Sequence, residues 1–180
     1  NITFVGGGNM ARSLIGGLIS AGISPQKITV AEPEEPLREG LRDRFSVTAL
    51  SENIPAVENA DVIILAVKPQ VIREALMPLA PVVSRNQPLL ISIAAGITIK
   101  SIETWAGGKP ALVRVMPNTP ALVGAGVSAL FANDRVTATQ RTLAEAIMRA
   151  VGTTVWTKDE SLMDIITAIS GSGPAYFFYL

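Results

Sequence analysis

Cysteine and histidine are both absent from this 180-residue sequence. That removes disulfides, thiolate nucleophiles, tetrahedral zinc sites and every catalytic arrangement built on an imidazole base, and no metal site is expected. An excess of either charge is lacking too. Fifteen Lys and Arg face fifteen Asp and Glu, so the formal net charge is zero, which argues against a nucleic-acid or membrane-surface partner. Long apolar runs are also missing. Mean hydropathy is +0.39, yet the stretches at 89–97 and 121–132 are short and broken by Ser or Gly, whereas a bilayer span needs about 20 residues. No basic segment precedes an apolar one at the N-terminus, so no signal peptide is expected, and the lack of Cys fits a cytoplasmic location. Gly107-Gly108-Lys109-Pro110 has neither the spacing nor the hydroxyl of a P-loop, which removes the usual nucleotide hydrolases and kinases. Carboxylate, lysine, tyrosine or hydroxyl chemistry remains, or chemistry carried by a cofactor that the protein positions.

What is present is an alternation of short hydrophobic runs with segments of 3.6-residue periodicity. This pattern predicts an α/β fold, a Rossmann-like doubly wound and mainly parallel sheet with helices on both faces. Strands are expected at 2–5, 28–31, 47–49, 62–67, 89–93, 112–115, 127–131 and 153–156. Met10, Leu14 and Leu18 mark the first helix, stopped by Gly22, and Leu37, Leu41 and Phe45 stripe the second. Pro69 suits the first turn of a further helix. Thr98 is placed to cap a helix reaching Trp105, and Thr137 with Gln140 has capping-box spacing ahead of a helix closed by Gly152. Beyond the last strand, Leu162, Ile165, Ile166 and Ile169 fall at helical spacing, and Gly173-Pro174 is expected to begin a second helix. A boundary near Lys158 therefore separates a dinucleotide-binding domain, 1–158, from the start of a helical domain, 159–180. The sequence opens without Met one residue before a strand and stops inside an aromatic run, so it is expected to be part of a longer chain.

Gly6-Gly7-Gly8-Asn9-Met10-Ala11 is a G-x-G-x-x-A segment between the first strand and first helix, where a dinucleotide pyrophosphate would meet a helix N-terminus. An ordinary glycine turn would look similar in isolation, but Glu32 stands 21 positions past Ala11 at the end of the second strand. There a carboxylate accepts from the adenosine ribose hydroxyls of NAD and repels a 2′-phosphate, unless Arg38 or Arg42 folds back to receive one. Ala66-Val67-Lys68-Pro69 and Ala94-Ala95-Gly96 end two further strands at the edge where ligands of open α/β sheets bind. Lys68 suits a phosphate or ribose, or is simply a solvated strand end. Met116-Pro117-Asn118-Thr119-Pro120 is a rigid loop that would present the Asn118 amide, or serve only as a turn. Ser170-Gly171-Ser172-Gly173-Pro174 leads into Ala175-Tyr176-Phe177-Phe178-Tyr179, an aromatic run that suits packing better than ligand stacking.

Taken together, Gly6 to Ala11, Ala66 to Gln70, Ser92 to Gly96, Val115 to Pro120 and Ser170 to Tyr176 closely resemble pyrroline-5-carboxylate reductases, over essentially the whole chain. The resemblance implies reduction of 1-pyrroline-5-carboxylate to L-proline, the last step of proline synthesis, with NADPH or NADH. It implies cofactor contacts at Val5, Gly6, Gly7, Gly8, Asn9, Met10, Glu32, Asn53, Ala66, Val67, Lys68, Pro69, Ala94, Ala95 and Gly96, and active-site lining by Asn118, Ser172 and Gly173, with no catalytic side chain assignable within 1–180. Family members continue into a helical dimerisation domain whose loop holds the substrate carboxylate, so a homodimer or higher homo-oligomer is expected. Many of them carry Ser, Thr or Asn-Arg where this chain has Glu32, which brings NADH forward as the cofactor. The competing readings are a hydroxyacid or coenzyme F420-linked dehydrogenase and a dinucleotide-sensing module without turnover.

Overall fold

Runs of three to seven residues pair into one eight-stranded sheet in the computed structural model, which describes residues 1–174. The strands are β1 (Ile2–Val5), β2 (Ile28–Ala31), β3 (Thr48–Leu50), β4 (Val62–Leu65), β5 (Leu89–Ser92), β6 (Leu112–Met116), β7 (Gly126–Ala132) and β8 (Gly152–Trp156). Their order is β3-β2-β1-β4-β5-β6-β7-β8, and all neighbours run parallel except β6 and β7. This is the doubly wound order whose direction reverses between β1 and β4, so the carboxyl ends of β1, β2, β4, β5 and β6 share one edge. The aromatic run from Ala175 lies outside the described residues.

Strand side chains alternate between two cores. Phe4, Val30, Ile64, Ile91 and Val113 face α1 (Asn9–Ser20), α2 (Glu35–Phe45) and α7 (Ala138–Arg149), whose Leu14, Ile15, Leu41 and Ile147 are buried against them. Val5, Ile63, Leu65, Leu90 and Leu112 face the other way, onto α3 (Asn53–Val57), α4 (Ile72–Leu76), α5 (Ala80–Asn86) and α6 (Ile99–Trp105). Two-sided burial explains why the central strands are unbroken apolar runs. The helix starts follow the expected capping chemistry. Thr98 accepts from the Ser101 amide, and Thr137 and Gln140 form the reciprocal capping box of α7.

The structure corrects several boundaries. The fourth and fifth strands end at Leu65 and Ser92, so Ala66, Val67 and Ile93 belong to loops, while β6 runs on to Met116. The third strand is shifted to Thr48–Leu50. Pro69 stands in a turn ahead of α4, which begins only at Ile72. Gly152 does not close α7, which ends at Arg149. It opens β8 at φ +149°, where a Cβ would come 1.9 Å from the Gly126 carbonyl oxygen. The helix expected to start at Gly173-Pro174 runs beyond the described residues, and its first two residues follow the preceding helix without a break. They continue α8 (Leu162–Ile166) through a widened turn of π geometry over Thr167–Ser172.

Two polar clusters tie these elements together. Arg114, only 3% exposed within β6, donates to Glu160 (3.0 Å) and Asp164 (2.7 Å), and Glu160 also accepts from the Ile99 amide at the start of α6 (2.8 Å). A single buried guanidinium thus joins the sheet, α6 and α8. On the other face the Trp156 indole and Thr154 hydroxyl donate to Glu145, and Arg149 pairs with the same carboxylate. The Trp156 bond, with Arg149 beside it, holds the Glu145 carboxyl below its ordinary range.

Two outcomes test this packing. Gly152→Ala places a methyl group against backbone that has no room to move and is expected to cost roughly 3 kcal/mol or more, read as a lower midpoint in urea unfolding. The fold favours the ionised form of Glu145, so its contribution is present above the ordinary carboxylate range and lost as pH falls through the lowered value. The melting-temperature gap between the wild-type protein and Glu145→Gln should therefore be open at neutral pH and close on acidification; a gap that is independent of pH contradicts the assignment.

Candidate functional site

The shared carboxyl edge assembles the site. β1 passes at Val5 into Gly6, whose amide donates to the Ala31 carbonyl of β2 (2.8 Å), while the Ala66 amide of the neighbouring loop donates to Val5 (2.8 Å). Gly6 has φ +102°, and a Cβ there would lie 2.8 Å from the Ala66 carbonyl oxygen, so only glycine can turn between these two strand ends. A Cβ on Gly8 would meet nothing within 4 Å. The outer side of the loop is open, and Gly8 caps α1, whose first amides have no partner inside the helix. This is the geometry that cradles an anion at a helix N-terminus.

Glu32 closes the site at β2. It is 7% exposed. One carboxylate oxygen accepts from the Gly7 amide (2.9 Å) and the other from the Glu34 amide (3.1 Å). The loop behind it is braced by Arg38, whose guanidinium donates to the Glu32 and Pro33 carbonyls (2.7 and 2.6 Å) and pairs with Glu35. Arg42 donates to the Ala49 carbonyl (2.8 Å) and to Glu35 (3.1 Å). Neither arginine folds back over the carboxylate.

The other expected residues converge unevenly. Lys68 is exposed at the end of β4, and its carbonyl accepts from the Val71 amide (3.0 Å). Ala94 is buried behind Ser92, while Gly96 stands exposed at φ +73° with open space where a side chain would be. Asn53 begins α3 and directs its amide nitrogen to the Ala75 carbonyl of α4 (3.4 Å). Asn118 bridges two segments. Its oxygen accepts from the Val127 amide (2.8 Å) and its nitrogen donates to the Ser170 hydroxyl (3.1 Å), so the loop after β6 is joined to the π turn. Gly171 sits against the end of the Met116 side chain. Ser172 is exposed and Gly173 half-buried beside this contact. A cavity of about 420 Å³ runs along α1 between Arg44 and Gly124 and touches the strand-end site only at Asn9.

Arg114, Glu160 and Asp164 were not singled out from the sequence, although an arginine inside Leu112–Met116 is a usable signal, because a charge is buried in a strand only when it is paired. No cluster of metal-binding side chains occurs among the described residues, and none of their helices is long and apolar enough to cross a membrane.

Comparison with known proteins agrees with this geometry. Residues 1–96 match the family described as NADP oxidoreductase coenzyme F420-dependent. The pyrroline-5-carboxylate reductase of Pseudomonas aeruginosa is 45% identical over 179 residues, covering 99% of this chain and 65% of the relative. The structure of a pyrroline-5-carboxylate reductase from Coxiella burnetii superposes with a TM-score of 0.95 at 44% identity, covering 99% of this chain and 66% of that one. The Plasmodium falciparum pyrroline carboxylate reductase with NADP bound gives a TM-score of 0.86 at 32% identity, with 99% and 65% covered. The chain thus spans about 65% of the length of the curated relatives it matches. It belongs to the NADP oxidoreductase coenzyme F420-dependent family, as a relative of the pyrroline-5-carboxylate reductases.

Proposed function

We propose that this chain forms the cofactor-binding part of a reductase that converts 1-pyrroline-5-carboxylate to L-proline with NADH or NADPH. The observation that carries this reading is the convergence on one sheet edge of the segments at Gly6, Glu32, Ala66, Ala94 and Asn118, within a chain similar to such reductases over 99% of its length. Residues 1–158 act as the dinucleotide-binding domain and 159–180 open a helical dimerisation domain.

The residues present fit a dinucleotide. Gly6, Gly7 and Gly8 keep the loop low enough for the pyrophosphate to reach the N-terminus of α1, where Asn9 and Met10 add their amides. Val5 ends the strand beneath it. Glu32 accepts from the ribose hydroxyls, Lys68 offers a cation, and Ala66, Val67, Pro69, Ala94, Ala95 and Gly96 leave flat backbone against which the remainder lies. Asn53 steadies α3 against α4 at the site's margin. A reduced nicotinamide held by these residues would supply the hydride for C5 of the cyclic imine, and with a proton delivered to nitrogen the products would be L-proline and the oxidised cofactor. No nucleophile or metal is needed, consistent with a chain that lacks His and Cys. The protein contributes orientation and exclusion of water. Asn118, Ser172 and Gly173 border the side on which substrate would lie, because the Asn118–Ser170 bond carries the π turn to the end of β6.

The exposed apolar residues Leu162, Ile165 and Ile169 on α8 and its continuation, with Val127 and Val155 on the last two strands, support self-association of the working enzyme. The cytoplasm is its proposed location.

The decisive assay uses a protein containing these residues together with the C-terminal third that the relatives carry. Addition of 1-pyrroline-5-carboxylate should consume reduced nicotinamide, followed by its absorbance, with one L-proline formed per cofactor oxidised; absence of turnover removes the reductase reading. Sedimentation of the same protein at micromolar concentration is expected to give a dimer or larger assembly, and a monodisperse monomer contradicts the proposed interface.

A further inference from the structure

We infer that this chain selects the unphosphorylated dinucleotide, NADH, because Glu32 is a carboxylate locked in place at the ribose end of the site, with the cations beside it turned away. The inference rests on the reading of the strand-end site as a dinucleotide site.

The argument begins with the carboxylate's own bonds. An ionised carboxylate offers about four acceptor positions. Two are taken by the Gly7 and Glu34 amides, one on each oxygen. The remaining lone pairs suit the two donor hydroxyls of an adenosine ribose. A ribose bearing a 2′-phosphate replaces one donor with a dianion, which has nothing to give an acceptor and is repelled by its charge. A free glutamate could swing aside, but this one is tied through both oxygens and is nearly fully buried, so moving it strips the Gly7 and Glu34 amides of their acceptors.

A phosphate could still be accommodated if a guanidinium came forward to neutralise it. The structure accounts for the cations around β2. Arg38 is buried with its guanidinium committed to the Glu32 and Pro33 carbonyls and to Glu35. Arg42 is committed to Ala49 and Glu35. Arg12 of α1 lies beside Gly40, farther along α2, and lines the separate cavity. The side chains that border the ribose position are otherwise acidic, with Glu34 and Glu35 following Glu32. The pair formed by Arg38 and the Glu32 carbonyl also rigidifies the loop, so the discrimination is built into the backbone.

Titration calorimetry of the purified protein with NADH and with NADPH tests the inference without any turnover. NADH is expected to bind at least about tenfold more tightly. Equal or tighter binding of NADPH overturns the inference and leaves the dinucleotide reading standing, whereas binding of neither overturns both. Glu32→Ser, checked by its melting temperature, should narrow or reverse the ratio by weakening NADH and strengthening NADPH. Glu32→Gln, which removes the charge and keeps an acceptor for the Gly7 amide, serves if the serine variant fails to fold and should shift the ratio the same way. A ratio unchanged in a folded variant removes Glu32 as the selector.

Discussion

The 2.9 Å bond from the Gly7 amide to Glu32 links the glycine loop to the end of β2, and most of the site's geometry depends on it. The loop leaves β1 at the point where the sheet's order reverses. There it must clear β4 on one side, where the Ala66 carbonyl leaves no room for a side chain at Gly6, and meet β2 on the other. With Glu32 holding the second glycine and the Gly6 amide bonded to Ala31, the loop is fixed at two successive amides without any ligand. Preorganisation of this kind lowers the ordering cost of binding, and it leaves the first amides of α1 directed outward.

Much of this was legible in the sequence because local chemistry and burial agree there. Two-sided burial made β1, β2, β4 and β5 short apolar runs, and the caps at Thr98 and Thr137 declare themselves by hydroxyl placement alone. The direction of β7 is less plain, since an apolar run carries no orientation. Yet only residues 117–125 connect β6 to β7, too few for a parallel crossover, and the antiparallel pairing follows from that length. Pro69 misleads because proline suits both a helix start and the turn before one, and the Lys68–Val71 turn is what the tertiary structure selects. The π turn had no local signature. It is shaped by Gly171 meeting Met116 and Ser170 meeting Asn118, contacts between residues some fifty positions apart.

The site is similarly divided. Its glycine-loop end was readable from glycine spacing and one acidic residue, because backbone approach and carboxylate placement are imposed on the sequence directly. The side bordered by Asn118 was open to two readings, and in the structure its amide is bonded to Val127 and to Ser170, so it joins the loop after β6 to the π turn. Arg114 belongs with it. A guanidinium buried in β6 gains nothing from desolvation, and it is retained where three elements must meet in one arrangement.

That meeting has a mechanical consequence. Glu160 and Asp164 are anchored to the sheet through Arg114, and Glu160 is anchored again to the first amide of α6, so the opening turn of α8 is tied to the sheet at three points. The loop after Trp156, which looks like the natural joint, is therefore locked on its far side. Beyond Asp164 the ladder loosens at Thr167–Ser172, where the helix carries an extra residue per turn and Ser170 accepts a side-chain bond from Asn118. This loosened turn stands beside the end of β6, so a displacement of Thr167–Ser172 would reach the rim of the candidate site through Asn118 and Met116.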